Sequence, residues 1–186
     1  RGVRMSERKW SVIQVLAYFY NAFANLADGK LDDAETETMA KKIIEWTNKD
    51  EDNIKYVISC IGNARDWLHD DINSSTENED LVNINLALCC KIIKEEMVED
   101  HYKGVLMDLV TIGNADGNYD ESEKGWVKML ADSLGVDPPT VPALDGINDE
   151  SCDYPAITVR VFTNEDGEKN DELTKSVLWS YEETML

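Results

Sequence analysis

The stretch ADGKLDDAE, residues 27–35, returns as ADGNYDESE, residues 115–123, when the chain is slid along itself by 88 positions. Ala27, Asp28, Gly29, Asp32 and Glu35 fall on Ala115, Asp116, Gly117, Asp120 and Glu123. Each block follows an apolar segment of helical spacing and precedes another. A junction repeated in this way is the mark of a repeated supersecondary unit. The chain is therefore expected to hold two pseudo-equivalent helix–loop–helix halves, joined by a helix pair between them.

Local chemistry explains why such a block turns the chain. Gly29 or Gly117 can adopt a positive φ, so the backbone can bend sharply after the first helix. Leu31 or Tyr119 follows as an apolar plug. Asp32 or Asp120 then sits at an N-cap position, and Glu35 or Glu123, three residues on, can reach back to its amide as a capping box. A calcium-loop alignment also fits, in part. With Gly117 as the central glycine, Asp116, Asp120 and Glu123 fall at liganding positions and Asn114 at the third position. The first position is Ile112, which cannot ligate. In the first block the front positions are Ala24 and Leu26. A hard divalent ion takes about six or more oxygens, more than either block offers. A cap with a tight turn is the simpler reading of one block. The alternative is a calcium or magnesium site drawing on Asp28, Asp32, Glu35, Asp116, Asp120 and Glu123, with the second block the better candidate.

The rest of the chain reads as helices. Residues 9–26 carry apolar side chains on most of the circumference, which predicts a central helix. A second helix runs to about Trp46. A third carries Ile54, Val57, Ile58, Ile61, Ala64 and Leu68, before a loop HDDINSSTENED containing His69. Thr76 and Glu79 have capping-box spacing ahead of a fourth helix with Leu81, Ile84, Leu88, Ile92 and Ile93. A fifth begins near His101, and a sixth ends at Leu134 with Gly135 as its stop. All four prolines fall between positions 138 and 155, a composition shift that marks a boundary. We divide the chain into a leader (1–9, with RGVR ahead of Met5 reading as an expression remnant), a helical domain (10–139), and a linker with C-terminal extension (140–186). In the extension AITVRVF alternates as a strand would, and Leu173, Val177, Leu178 and Tyr181 share one helical face.

Charge and chemistry narrow the function. Eighteen Lys and Arg against 38 Asp and Glu give a net charge of −20. A nucleic-acid ligand needs a basic footprint and is excluded, and docking on anionic lipid is equally disfavoured. Cations or basic protein surfaces suit this charge. No apolar run approaches the roughly 20 residues that span a bilayer, and no secretory leader is evident. Cys60, Cys89, Cys90 and Cys152 lack CxxC spacing, which argues for reduced thiols over a zinc or thioredoxin-type site. With two histidines, His69 and His101, the paired Glu-x-x-His of a di-iron bundle cannot be assembled. HExxH, a phosphate loop and a GxSxG elbow are absent. Met39, Met97, Met107 and Met129 read as core filler. No nucleophile has an evident base, so an enzyme is not expected.

An apolar helix ending in ADG, an acidic residue and then Glu, repeated once, resembles the TerB-like proteins. These are the tellurite-resistance TerB family and the related domain of some DnaJ-type co-chaperones. The likeness covers about residues 10 to 139 and is most evident in ADGNYDESEKGWVKMLADSLGVDP. It implies an all-α bundle of two related halves, to which this chain adds an extension with a short β segment and a helix. It also implies a cytoplasmic role in tellurite or other chemical-stress resistance, in concert with other Ter proteins, some of which bind calcium. The family's acidic motif residues correspond to Asp28, Asp32 and Glu35, and to Asp116, Asp120 and Glu123. The tail beyond about Gly146 departs from short family members. The leading expectation is a non-catalytic module that binds other proteins. A divalent-cation sensor or buffer is the runner-up.

Overall fold

A computed structural model describes residues 8–27, 33–47, 51–139 and 177–178. In chain order the elements are β1 (Lys9–Trp10), α1 (Val12–Leu26), α2 (Asp33–Ile44), α3 (Glu51–Ser74), α4 (Leu81–Glu96), α5 (Glu99–Gly113), α6 (Glu121–Leu134) and β2 (Val177–Leu178). The fold is all-α, with β1 and β2 forming one two-stranded antiparallel ribbon.

Because α1 is apolar around its circumference, it can be covered on all sides. Every residue from Val12 to Ala24 is buried, and α2, α3, α4 and α5 all pack against it. Two polar members of this run are satisfied locally or across the interface. Ser11 caps the helix by accepting from the Gln14 amide at 3.1 Å, while Gln14 donates through Nε2 to the Cys60 carbonyl at 2.9 Å.

The 88-residue offset reappears in the architecture. α2 begins at Asp33 and α6 at Glu121, so the second helices of the two halves start in register. Glu35 and Glu123, Met39 and Val127, Ile43 and Ala131, and Trp46 and Leu134 are equivalent pairs, and all eight residues are buried. Tyr20 and Asp108 are also equivalent, and the tyrosine Oη donates to Asp108 Oδ2 at 2.6 Å. This bond ties α1 directly to its counterpart α5. Trp46 Nε1 donates to the same oxygen at 2.8 Å, so a fully buried carboxylate is held at the centre of the repeat.

Several expectations need correction. Instead of stopping near Leu68, α3 continues through HDDINS to Ser74, and His69 lies on its exposed face with Nε2 3.0 Å from Asn73 Nδ2. The extra turns are held because Asp71 points inward. Its Oδ2 accepts from Arg8 at 2.9 Å, Tyr18 at 2.7 Å and Asn85 at 2.7 Å. Thr76 and Glu79 do not form a capping box; their backbones exchange hydrogen bonds, and Asp80 caps α4 by accepting from the Asn83 amide. Met129 is half exposed rather than core. Val177 and Leu178 form a strand rather than part of a helical face. The expected strand at residues 156–162 lies outside the described residues.

Candidate functional site

The second corner can be built from its residues upward. α5 ends at Gly113, where an added Cβ would sit 2.9 Å from the Tyr119 ring and 3.3 Å from Glu123 Cδ. The glycine is there because the plug and the carboxylate pack directly on its Cα. Asn114 caps the helix, and its C=O accepts from the Gly117 amide at 3.0 Å. Gly117 takes φ 81°, the left-handed conformation that the turn requires. Asp116 Oδ1 accepts from the Asn118 amide at 2.8 Å, an Asx turn that tightens the same bend.

Tyr119 then turns inward and is buried. Burial pushes its phenol well above the ordinary range, and the nearby Glu123 charge pushes it further in the same direction. Asp120 caps α6: its Oδ1 accepts from the Glu123 amide at 2.9 Å, and Glu123 Oε2 accepts from the Asp120 amide at 2.8 Å. Glu123 is only 1% exposed, whereas Asp116 and Glu121 face solvent. Lys124 reaches Glu121 at 3.1 Å and lies 5.7 Å over the Tyr119 ring.

Of the first corner, Glu35 is described and is buried like its counterpart Glu123. Asp28 and Asp32 lie outside the described residues. Ser122 Oγ, in the first turn of α6, donates to the carbonyl of Ala27 at the end of α1, the residue that opens the first block. Trp126, one turn further along α6, packs edge-on against Phe19 and Phe23 of α1.

The donor set bears directly on a metal. In the second corner each of Asp116, Asp120 and Glu123 gives one oxygen to a backbone amide. Ile112, at the first loop position, is fully buried. Among the described residues no three His, Cys, Asp or Glu side chains gather as a metal site would require. The second corner alone does not fit a hard divalent ion. The sequence reading missed Asp71 and Asp108, the two buried acids that tie helices together. An acid inside the apolar run VLMDLV was the available signal for Asp108.

An all-α bundle whose α2 and α6 start at equivalent residues of the repeat, with a glycine-bent, acid-capped corner ahead of α6, defines the class. The family model described as tellurite resistance protein TerB matches residues 20–145, and the chain belongs to that family. No curated protein and no solved structure matches the chain. No helix among the described residues is long and apolar enough to cross a membrane.

Proposed function

We propose that this chain is a non-catalytic TerB module of the cytoplasm, acting in tellurite and related chemical-stress resistance by binding other proteins through its paired acidic corners. The observation that carries this reading is the Ser122–Ala27 bond, which ties the first turn of α6 to the residue that opens the first acidic block. Asp33 and Glu121 begin equivalent helices there and are both exposed, as is Asp116. With a net charge of −20 behind it, such a surface favours a basic protein partner and steers its approach electrostatically. The helical domain, residues 10–139, is the working unit.

Replacing Asp33, Asp116 and Glu121 with lysine tests the reading. The triple variant gives up the Asx turn of Asp116 and puts positive charge at two helix N-termini, so it should lose about 1–3 kcal/mol while still unfolding cooperatively, and should fail to restore tellurite resistance to cells lacking the gene. Full resistance from the folded variant would remove the acidic surface from the function.

A second reading, a divalent-cation sensor or buffer, is favoured by the same adjacency. Carboxylates of both corners (Asp28, Asp32, Glu35, Asp116, Asp120, Glu123) could then contribute to one ion, calcium or magnesium. Titration calorimetry with calcium, magnesium and manganese separates the readings. Micromolar binding lost in both Asp28→Asn and Asp116→Asn would favour the cation.

A further inference from the structure

Beyond the family match, the chain meets the helical domain at one described place. Val177 stands opposite Trp10 and Leu178 opposite Lys9 in the β1–β2 ribbon. β1 is held more firmly than a two-residue strand would suggest. Arg8, just ahead of it, is 3% exposed, ion-paired to Asp71 at 2.9 Å, and lies 5.0 Å over the Trp67 ring. Trp10 is fully buried, edge-on to both Trp67 and Tyr18. Ser11 caps α1 immediately afterwards. An extended backbone pinned at both ends is a ready template for another strand.

We propose that β1 is a strand-docking edge and that this chain's own segment around Val177–Leu178 is its resident, displaceable occupant. A two-stranded ribbon this short is not stable by itself. It persists because the occupant is tethered, which presents it at an effective concentration on the order of millimolar. The same strand offered in trans at micromolar concentration cannot displace it, but at millimolar concentration it can fill an edge that the tether has vacated. Main-chain hydrogen bonds supply the affinity, so the fitting partner is an extended peptide with a short apolar run between small polar residues, as in SVLWS (176–180). The C-terminal extension thereby governs access to the N-terminal face of the bundle. This inference stands apart from the acidic corners.

The test uses the full chain and a fluorescent peptide of residues 171–186. Proline at both Val177 and Leu178 removes whichever of the two amides donates to β1, since neighbouring residues of an antiparallel strand turn their amides alternately toward and away from the partner. The double variant should bind the peptide at least about tenfold more tightly than the wild type does. A peptide carrying the same two prolines should not bind. Equal binding by both full-length chains, or by neither, overturns the proposal. A second measurement reads the pairing directly, since opposed residues of an antiparallel ribbon lie within disulfide reach. Lys9→Cys with Leu178→Cys should oxidise to a mass-mapped disulfide within one chain. Failure to form it, or formation only between two copies, also overturns the clasp.

Discussion

Removing Arg8 should injure this protein more than its place near the start of the chain suggests. Three donors converge on one oxygen of Asp71: the Arg8 guanidinium at 2.9 Å, the Tyr18 hydroxyl at 2.7 Å and the Asn85 amide at 2.7 Å. Arg8, Tyr18, Asp71 and Asn85 are all at most 3% exposed. In Arg8→Met the buried carboxylate keeps two neutral donors and loses its counter-charge, which costs about 3–5 kcal/mol. For a chain of this size that lowers Tm on the order of 10 °C. Asp71→Asn strands the guanidinium instead, with the Trp67 face as partial compensation of about 0.5–2 kcal/mol. The double variant removes both charges and leaves an amide oxygen for Tyr18 and Asn85. It should be more stable than either single variant, giving a coupling of at least about 2 kcal/mol. Urea unfolding followed by tryptophan fluorescence measures all four corners of the cycle. The coupling should survive high salt, because buried pairs are poorly screened. If Arg8→Met falls within about 1 kcal/mol of the wild type, or the single costs simply add, Arg8 is not the counter-ion of Asp71. The same reasoning extends to truncation. A chain beginning at residue 20, where the family match begins, lacks Arg8, Trp10 and Tyr18 and should not fold cooperatively.

Glycine substitutions give opposite signs. Gly113→Ala places a Cβ 2.9 Å from the Tyr119 ring and should destabilise by about 1–3 kcal/mol, whereas Gly62→Ala, with open space around its Cβ, should stabilise by up to about 1 kcal/mol; thermal melts decide both. Asp120→Ala removes the carboxylate that accepts from the Glu123 amide and should cost about 1 kcal/mol. If the corner is a cap, that loss will be the same in millimolar calcium and in chelator. Burial pushes the Cys60 and Cys90 thiols up to about 11 from an ordinary value near 9. Unfolding in that interval releases their protons, so stability falls as pH rises from about 9 to 11, by roughly 2–3 kcal/mol per thiol. Replacing both with alanine should make this part of the curve of unfolding free energy against pH shallower, with Cys89, Tyr18 and Tyr119, also pushed up by burial, keeping a residual slope.

What could be read in the sequence was whatever obeys a local rule. Gly117 and Gly135 adopt positive φ where the turns need it, Tyr119 plugs inward, and Asp120 with Glu123 closes the expected capping box. The circumference of residues 9–26 announced a central helix for the same reason: few residues decide it, and they are adjacent. The misses at the end of α3 and at β2 depend on partners far away in sequence, and the one ahead of α4 on a nearer competitor. HDDINS looks like a solvated loop until Arg8, 63 residues earlier, gives Asp71 a reason to face inward. The spacing of Thr76 and Glu79 is as good as that of a real box, but Asp80 lies beside the helix start and takes the Asn83 amide first. Val177 and Leu178 have helical spacing with their neighbours, but their pairing is set by β1 at the opposite end of the chain. The corners could be identified in the sequence, whereas the bond between Ser122 and Ala27 could not.

Comparing the halves with each other separates what the corner needs to fold from what it offers to a partner. The second half pairs the smallest residue, Gly113, with a large plug, Tyr119; the equivalent positions in the first half are Asn25 and Leu31, larger on the helix and smaller on the plug. In the second half that pairing is a direct contact, since a Cβ on Gly113 would meet the Tyr119 ring. The five shared residues behave differently. In the second corner Gly117 serves the turn, Asp120 and Glu123 serve the cap, and Asp116 serves the Asx turn. Folding alone therefore accounts for every acidic residue the two blocks share, as far as the second corner displays them. Their identity cannot by itself argue for a ligand. A case for function has to come from position: α2 and α6 start at equivalent residues, and the Ser122 bond to Ala27 ties the start of α6 to the end of α1, where the first block opens. A single hairpin would have no such contact, which exists because α6 also packs through Trp126 on Phe19 and Phe23 of α1.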